Sequence, residues 1–240
     1  MKYFLKSIWE DINFVKSYSL KVETNAYNSL CERPAIKKLC SNILHKSVLD
    51  AGCAGGGLSK WLISQGADVT SVDKSPIMVT ITKGLLGNNE NIFQLDLETS
   101  KGFFKSESFD LIICSLTLHY MKNWDICLSE FYRALKPKGL LIITTHHPIA
   151  DFSKSFSKNY HDIEYIEEEW PNFLNTPVRV GFYRRPLSNI FDMVQDANFD
   201  ISLFSEPRPL PKMKKLFPSS FFALNNNPPF ILLSCKKKTL

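Results

Sequence analysis

The sequence predicts an α/β fold: a mostly parallel sheet with helices on both faces and a small cap insertion. Three observations predict it. Strand and helix signals alternate through the middle of the chain, the pattern of a parallel sheet covered on its faces. A glycine-rich turn joins the first of these strands directly to a helix. Aspartates stand at the ends of three successive strands, where an open parallel sheet forms its ligand crevice.

The elements follow in order. Ser47 to Asp50 reads as a short buried strand, followed by the turn and a helix over Leu58 to Gln65. Asp68 to Asp73 is the second strand. Ser75 is a suitable N-cap with Pro76 at the first helical position, and Gly87 stops that helix after Leu86. Asn91 to Asp96 is the third strand. Ser108 to Ser115 is the fourth, and its apolar run suits a central parallel strand. Trp124, Cys127, Leu128, Phe131 and Leu135 fall at helical spacing within Asn123 to Leu135. Pro137-Lys138-Gly139 is a turn, and Leu140 to Thr145 the fifth strand. The alternation then breaks. His146 to Pro186 has no clean period and reads as an insertion, with Glu167, Glu168 and Glu169 on a solvated helix face. Leu187 to Ala197 is helical and Phe199 to Ser205 is the sixth strand. Glu206 to Pro229 holds six prolines and reads mostly as loop, before a last strand over Phe230 to Cys235. The organisation expected is an N-terminal helical lid over residues 1–46 and one main domain over 47–240, carrying a cap at about 147–186.

Composition narrows the function. Hydrophobic residues at 44% and charged residues at 22% give a globular core rather than a disordered chain. The net charge of +5 comes without a concentrated basic stripe, which argues against a nucleic-acid partner. The six cysteines form no CxxC pair, so reduced thiols in a cytoplasmic protein are expected and a zinc site is not. No apolar run is long enough for a membrane span or a signal peptide.

The cofactor signal is Val48-Leu49-Asp50-Ala51-Gly52-Cys53-Ala54-Gly55-Gly56-Gly57. Glycines let the backbone turn sharply and come close to a ligand. Asp50 stands ahead of them, where a carboxylate repels a pyrophosphate and suits an ammonium group. That disfavours a nicotinamide dinucleotide, as does the lack of a spaced GxGxxG. Asp73, twenty-three residues on, can accept from ribose hydroxyls. Asp96 repeats the pattern and can receive an adenine amino group.

VLDAGCAGGGLSKWL resembles the first motif of the class I S-adenosylmethionine-dependent methyltransferases. SVDKSPIM is similar to their acidic second-strand motif, FDLIICSLTLHYMKNW to the fourth-strand segment, and RALKPKGLLIITTHHP to the fifth. The resemblance is to the methyltransferase type 11 group, a small-molecule branch, and it covers residues 48 to 146; ERPAI and FYRRPLS on the flanks look like an uncharacterised bacterial subset of it. It implies a Rossmann-like class I fold of seven strands, the last antiparallel beside the sixth. It implies S-adenosyl-L-methionine as cofactor and S-adenosyl-L-homocysteine as product. Asp50, Gly52 and Gly56 would line the methionine part, with Cys53 and Ala54 in the same turn. Asp73 and Lys74 would lie at the ribose, Met78, Asp96 and Leu97 at the adenine, and Ser115 and Leu116 at the methionine amine. Ala54 replaces the group's usual second glycine.

Methyl transfer from a sulfonium needs alignment, and a base only where the acceptor must lose a proton. His119, His146 and His147 follow the fourth and fifth strands and are the general-base candidates. His146 and His147 are adjacent and point apart, so no metal site is expected there. Tyr18, Tyr27, Tyr120, Trp170, Tyr183, Arg184 and Arg185 are candidates to hold a planar or anionic acceptor. The function expected is in-line methyl transfer to a small-molecule acceptor; the alternatives are an RNA-directed methyltransferase and a non-catalytic cofactor-binding protein.

Overall fold

The computed structural model describes residues 8–87, 91–171 and 173–238; the first seven residues of the expected lid lie outside them. The lid holds α1 (Ile12–Val22), a π-helical turn over Asn28–Glu32, and α2 (Arg33–Leu39). Asp11 caps α1, its side chain accepting from the amides of Asn13 (2.9 Å) and Phe14 (3.0 Å), which satisfies donors the first turn leaves unpaired. Then come β1 (Ser47–Ala51), α3 (Gly57–Ser64), β2 (Asp68–Asp73), α4 (Pro76–Leu86), β3 (Ile92–Gln94), β4 (Phe109–Ser115), α5 (Asp125–Ala134) and β5 (Leu135–His146). The cap and the C-terminal part hold α6 (Pro148–Phe152), β6 (Glu164–Trp170), β7 (Val178–Arg184), α7 (Leu187–Asp196), β8 (Phe199–Ser205), α8 (Met213–Leu216), α9 (Pro218–Asn226) and β9 (Phe230–Lys237).

Seven strands form one sheet in the order β3-β2-β1-β4-β5-β9-β8, parallel except for β9, which is antiparallel to both β5 and β8. This is the Rossmann-like fold the sequence implies. One face of the sheet buries Leu49, Ile112, Ile143 and Leu233 against Trp124, Leu128 and Phe131 of the α5 segment. The other buries Val48, Ile113 and Ile142 against Ile36, Leu58 and Leu62. Each buried Leu, Ile or Phe side chain contributes about 1.5–3 kcal/mol of transfer free energy.

The structure corrects the sequence reading at four places. β3 is only three residues long, and Asp96 lies past its end, capping the 3-10 turn Leu97–Thr99. The turn expected at Pro137–Gly139 is a bulge inside β5: Leu135 pairs with Phe109, Leu140 with Leu111, and Lys138 takes φ 65°. Glu167–Glu169 are on a strand, not a helix. β6 pairs antiparallel with β7, with Ile166, Val178, Val180 and Phe182 buried on the inner face while Tyr165, Glu167 and Glu169 are exposed. Finally, the proline-rich segment contains α8 and α9, because Pro218 opens a helix rather than breaking one. Met213 and Leu224 pack there on Ala26, Leu30 and Cys31, so the C-terminal segment braces the lid.

A buried carboxylate fixes the loop before β4. Glu130 of α5 is 3% exposed and accepts from the amides of Gly102 and Phe104 (both 2.9 Å) and from Arg133 (Nε, 3.0 Å). Burial works to raise its pKa, but these hydrogen bonds prevail and hold it below the ordinary glutamate value. A carboxylate with a depressed folded pKa stabilises above its unfolded value, about 4.3, and loses that contribution as pH falls through the folded value. Glu130→Gln is therefore expected to lower stability by about 2 kcal/mol at neutral pH, the difference from wild type narrowing as pH drops below about 4. Thermal denaturation across pH checks this; a gap independent of pH would show that the charge contributes nothing.

Candidate active site

The ends of β1, β2 and β4 meet at one point. β1 leaves the sheet at Gly52 (φ 84°), and α3 begins after Gly56 (φ 82°). A Cβ on Gly52 would overlap the side chain of Thr117, and one on Gly56 would press on Thr82. Both positions need glycine for conformation as well as space. Ala54 keeps the turn: it takes the left-handed conformation itself (φ 48°), its carbonyl accepts from Thr82 Oγ1 (2.8 Å), and its side chain packs with the Phe14–Met78 cluster. The end of β4 carries a second strained non-glycine residue, Leu116 (φ 47°), whose amide donates to the carbonyl and Oγ1 of Thr144 (3.0 and 3.1 Å). Strain of this kind, about 1–3 kcal/mol per residue, collects at functional sites.

Asp73 ties the turn to β2. Its Oδ2 accepts from the Ala54 amide (2.9 Å) and its Oδ1 from the Ser75 amide (2.8 Å). Burial raises its pKa, opposed by these two bonds. Each carboxylate oxygen keeps a lone pair for a further donor. Asp50 lies lower, 1% exposed, bonded to Ser59 Oγ (2.6 Å), which accepts in turn from Ser71 Oγ (2.9 Å). Burial pushes Asp50 up to about 6, with the Ser59 bond and Arg33 opposing. It anchors β1 to α3 beneath the turn. Cys53 is buried, and its amide donates to the Val72 carbonyl (2.9 Å). Met78 is buried beside Ala54, and Leu97 is buried in the main core. Lys74 and Asp96 pair at 2.6 Å, joining the loops after β2 and β3. Ser115 gives its hydroxyl to Glu32 (2.8 Å).

The lid and the cap roof this point. Ser19 of α1 lies against Gly55, and the Glu23 carboxylate against Gly57 at the start of α3. Trp9 packs edge-on against Phe14, Tyr18 and Tyr120, and Tyr18 stacks on Trp170 (6.1 Å, 17°). Tyr18, Tyr120 and Trp170 therefore share one aromatic cluster. Tyr27 is elsewhere, beside Lys21 and Phe217 at the surface. Tyr183 pairs with Tyr165 on the outer side of the hairpin. Arg184 spends its guanidinium on Glu164 and on the carbonyls of Asn159 and Tyr160, and Arg185 on the carbonyls of Met121 and Lys122, over the Trp124 ring (4.5 Å). Both arginines are engaged with the cap and the segment beneath it in this way.

The three histidines separate. His147 uses both ring nitrogens: Nδ1 accepts from the Ile149 amide (3.2 Å) as the cap of α6, and Nε2 meets Glu206 (2.9 Å). His119 and His146 stack at 3.8 Å. Burial first, then His146 and Arg185, pushes the His119 pKa well down, so His119 is neutral at physiological pH. Its Nδ1 lies 3.4 Å from Thr145 Oγ1, and its buried Nε2 has no partner. His146 places Nδ1 3.4 Å from Asp151 Oδ2, and Phe182 covers the pair edge-on. Asp151 was not legible as part of the site. Neither were Glu32 and Arg33, for which the sequence signal was an adjacent charge pair just before the proline that opens α2.

The comparisons agree with this geometry. A family model described as a methyltransferase domain matches residues 49–143. An uncharacterized protein of Haemophilus influenzae is 25% identical, over 96% of this chain and 97% of that one. A ubiquinone biosynthesis O-methyltransferase of Rickettsia bellii is 27% identical over 69% of this chain and 66% of its own length, just under two thirds. The solved structure of an S-adenosylmethionine-dependent methyltransferase from Mesorhizobium loti superposes with a TM-score of 0.69 at 20% identity, covering 90% of this chain and all of that one.

The turn yields a paired prediction. Gly52→Ala is expected to destabilise by about 2–3 kcal/mol, because the new Cβ meets Thr117 in a conformation that already disfavours it. Ala54→Gly relieves strain while losing a packed methyl group, and is expected within about 1 kcal/mol of wild type. Denaturant titration of the two variants checks the contrast; equal losses would refute it.

Proposed function

We propose that this chain is a class I S-adenosylmethionine-dependent methyltransferase acting on a small-molecule acceptor, using the β1–β2–β4 junction for the cofactor and the His119–His146 stack for the acceptor. The observation that carries this reading is the Asp73 carboxylate, half-buried, bonded to the backbone of the glycine-rich turn and still able to accept. A ribose offers two hydroxyls to such a group. The carboxylates at the turn also suit a cationic ligand and oppose a pyrophosphate. The residues fit the cofactor on these grounds.

When bound, S-adenosylmethionine supplies a methyl group on a sulfonium, activated for in-line displacement. The chain contributes alignment, exclusion of water and a proton acceptor. Gly52, Ala54 and Gly56 bring backbone to the methionine side, Asp73 holds the ribose, and Met78 packs by the adenine. Leu116 and Thr117 form the wall at the end of β4. The aromatic cluster of Trp9, Tyr18, Tyr120 and Trp170 closes the roof, and residues 8–46 serve as its lid. Among the three histidines, His146 serves as general base. Asp151 Oδ2 lies 3.4 Å from its Nδ1, and a positioned histidine is the side chain most often used for such a proton transfer. His147 has no free nitrogen for that task, and His119, neutral, is stacked on His146. An acceptor that loses a proton on methylation, a hydroxyl or an amine, is the kind such a base serves. The similarity to a ubiquinone biosynthesis O-methyltransferase supports a small molecule. Six free, buried cysteines support a reducing, cytoplasmic setting.

Calorimetric titration tests the cofactor site. S-adenosylmethionine and S-adenosylhomocysteine are expected to bind and a nicotinamide dinucleotide is not. Asp73→Ala is expected to weaken both by about tenfold to a hundredfold, the loss of one or two charge-assisted hydrogen bonds; unchanged affinity would remove Asp73 from the site. With an acceptor found by transfer of labelled methyl, His146→Asn is expected to lower kcat by about 10²–10⁴ with cofactor affinity retained. A parallel loss of affinity would make His146 a structural residue.

A further inference from the structure

The proline-rich segment carries a surface that neither the sheet nor the candidate site accounts for. From Pro207 to Pro229 the chain has four basic residues, Arg208, Lys212, Lys214 and Lys215, and no acidic one, against 29 basic and 24 acidic residues in the whole. All four are exposed, and among the described residues none of the three lysines has an ion-pair partner. Leu216, Phe217 and Phe222 stand next to them with 59%, 42% and 54% of their surface exposed.

Local folding explains why these side chains are outside. α8 is a single turn, held by Met213, which is fully buried against the lid. In α9, Phe221 and Leu224 are three residues apart and turn toward Ala26, Leu30 and Cys31. Phe222, one step round the helix from Phe221, is left on the solvent side. A single exposed apolar side chain needs no explanation. Three large ones beside uncompensated cations mark an interaction surface.

Charge selects the occupant. Lysines around exposed Leu and Phe are the composition with which a helical segment lies in the headgroup layer of an anionic bilayer: the cations meet the lipid charges while the apolar side chains enter the acyl boundary. A nucleic acid would engage a longer basic track and would leave Leu216 in water. A second copy meeting this face isologously would set the lysines against their own counterparts.

We propose that the α8–α9 surface docks the protein on an anionic lipid bilayer, with Lys212, Lys214 and Lys215 at the headgroups and Leu216 and Phe222 inserted beneath them. The contact lies at the edge of the lid. Phe217, between the two helices, borders an open depression of about 330 Å³ shared with Lys21 and Tyr27 of the lid and Phe173 of the cap. Met213 and Leu224 pack on the turn of the lid that leads into α2. Docking therefore bears on the same lid that roofs the strand ends. It stands apart from the methyl-transfer reading, because the surface shares no residue with that site.

Vesicle flotation of the full chain tests this, with phosphatidylcholine alone and with phosphatidylcholine mixed with phosphatidylglycerol. Wild type is expected to bind the anionic vesicles at least about tenfold more tightly than the neutral ones, since each lysine at such a surface contributes about fivefold. Lys212→Gln, Lys214→Gln and Lys215→Gln together are expected to weaken that binding by about a hundredfold. Leu216→Ser with Phe222→Ser, which leaves the charge unchanged, is expected to weaken it at least about tenfold. Every altered side chain is exposed, so both variants are expected to melt at the wild-type temperature. Flotation of wild type on neither vesicle, or equally on both, would overturn the proposal. So would unchanged binding by the Leu216→Ser, Phe222→Ser protein, which would reduce the contact to adsorption by charge. Tighter binding to a single-stranded RNA oligonucleotide than to the vesicles, lost with the three lysines, would assign the surface to nucleic acid instead. A dimer in sedimentation velocity that Phe222→Ser disperses would assign it to a second copy, and either result would overturn lipid docking.

Discussion

The site depends on one hydrogen bond: the amide of Ala54 donating to Asp73 Oδ2. The chain leaving β1 must reverse in the five residues before α3, and it does so with left-handed conformations at Gly52, Ala54 and Gly56. Such a turn has little intrinsic preference for one shape. Asp73 selects the shape by taking an amide from inside the turn and another from the start of α4. The end of β1, the end of β2 and two helix starts are thereby fixed to one carboxylate. The alanine at position 54 is explained by the same bond. The turn needs an amide at that point in a left-handed conformation, and alanine can take it at a modest cost, partly offset by packing in the Phe14–Met78 cluster.

Parallel strands bring these ends together, but they do not close a site. Closure comes from segments remote in sequence. α1 lies over the turn, the β6–β7 hairpin lies over α1, and α8–α9 brace the segment that leads into α2. Among the described residues the polar ties between these layers include Ser75 Oγ to the Trp9 carbonyl (3.0 Å), Ser17 Oγ to the Phe173 carbonyl, Cys31 Sγ to the Pro207 carbonyl and the Leu210 amide to the Leu30 carbonyl (2.8 Å). The rest is aromatic packing, which is non-directional and can be remade after a displacement. A roof of that composition can open for a ligand at lower cost than a hydrogen-bonded sheet could.

What the sequence revealed follows from the range of the interactions involved. β1, β2, β4 and the glycine-rich turn were legible because buried parallel strands are apolar runs and their ends are punctuated by Gly and Asp. The β6–β7 hairpin was not, because Glu167, Glu168 and Glu169 hide the alternation of Tyr165, Glu167 and Glu169 with Ile166, Glu168 and Trp170. Glu168 is tolerated on the inner side because Lys154 pairs with it, a partner no local pattern announces. α8 and α9 were obscured by the prolines around them, one of which, Pro218, starts α9. Glu32 was invisible as a site residue for the plainest reason: Ser115 and Thr144 lie 83 and 112 residues away. The histidines show the same limit. Proximity to the strand ends nominated all three, and only their partners separate them.

The buried charges explain why the junction can be polar without being unstable. Asp50, Asp73 and Glu32 gather at the strand ends, and a cluster of buried carboxylates would repel itself. Each is managed differently. Asp50 is satisfied by Ser59 and pushed up to about 6, so its charge is only weakly held near neutrality. Asp73 is stabilised by two amides. Glu32 takes two hydroxyls and the company of Arg33. The charge left over is therefore one arginine against carboxylates, an excess of negative potential at the strand ends. A cationic ligand completes that balance better than a neutral one.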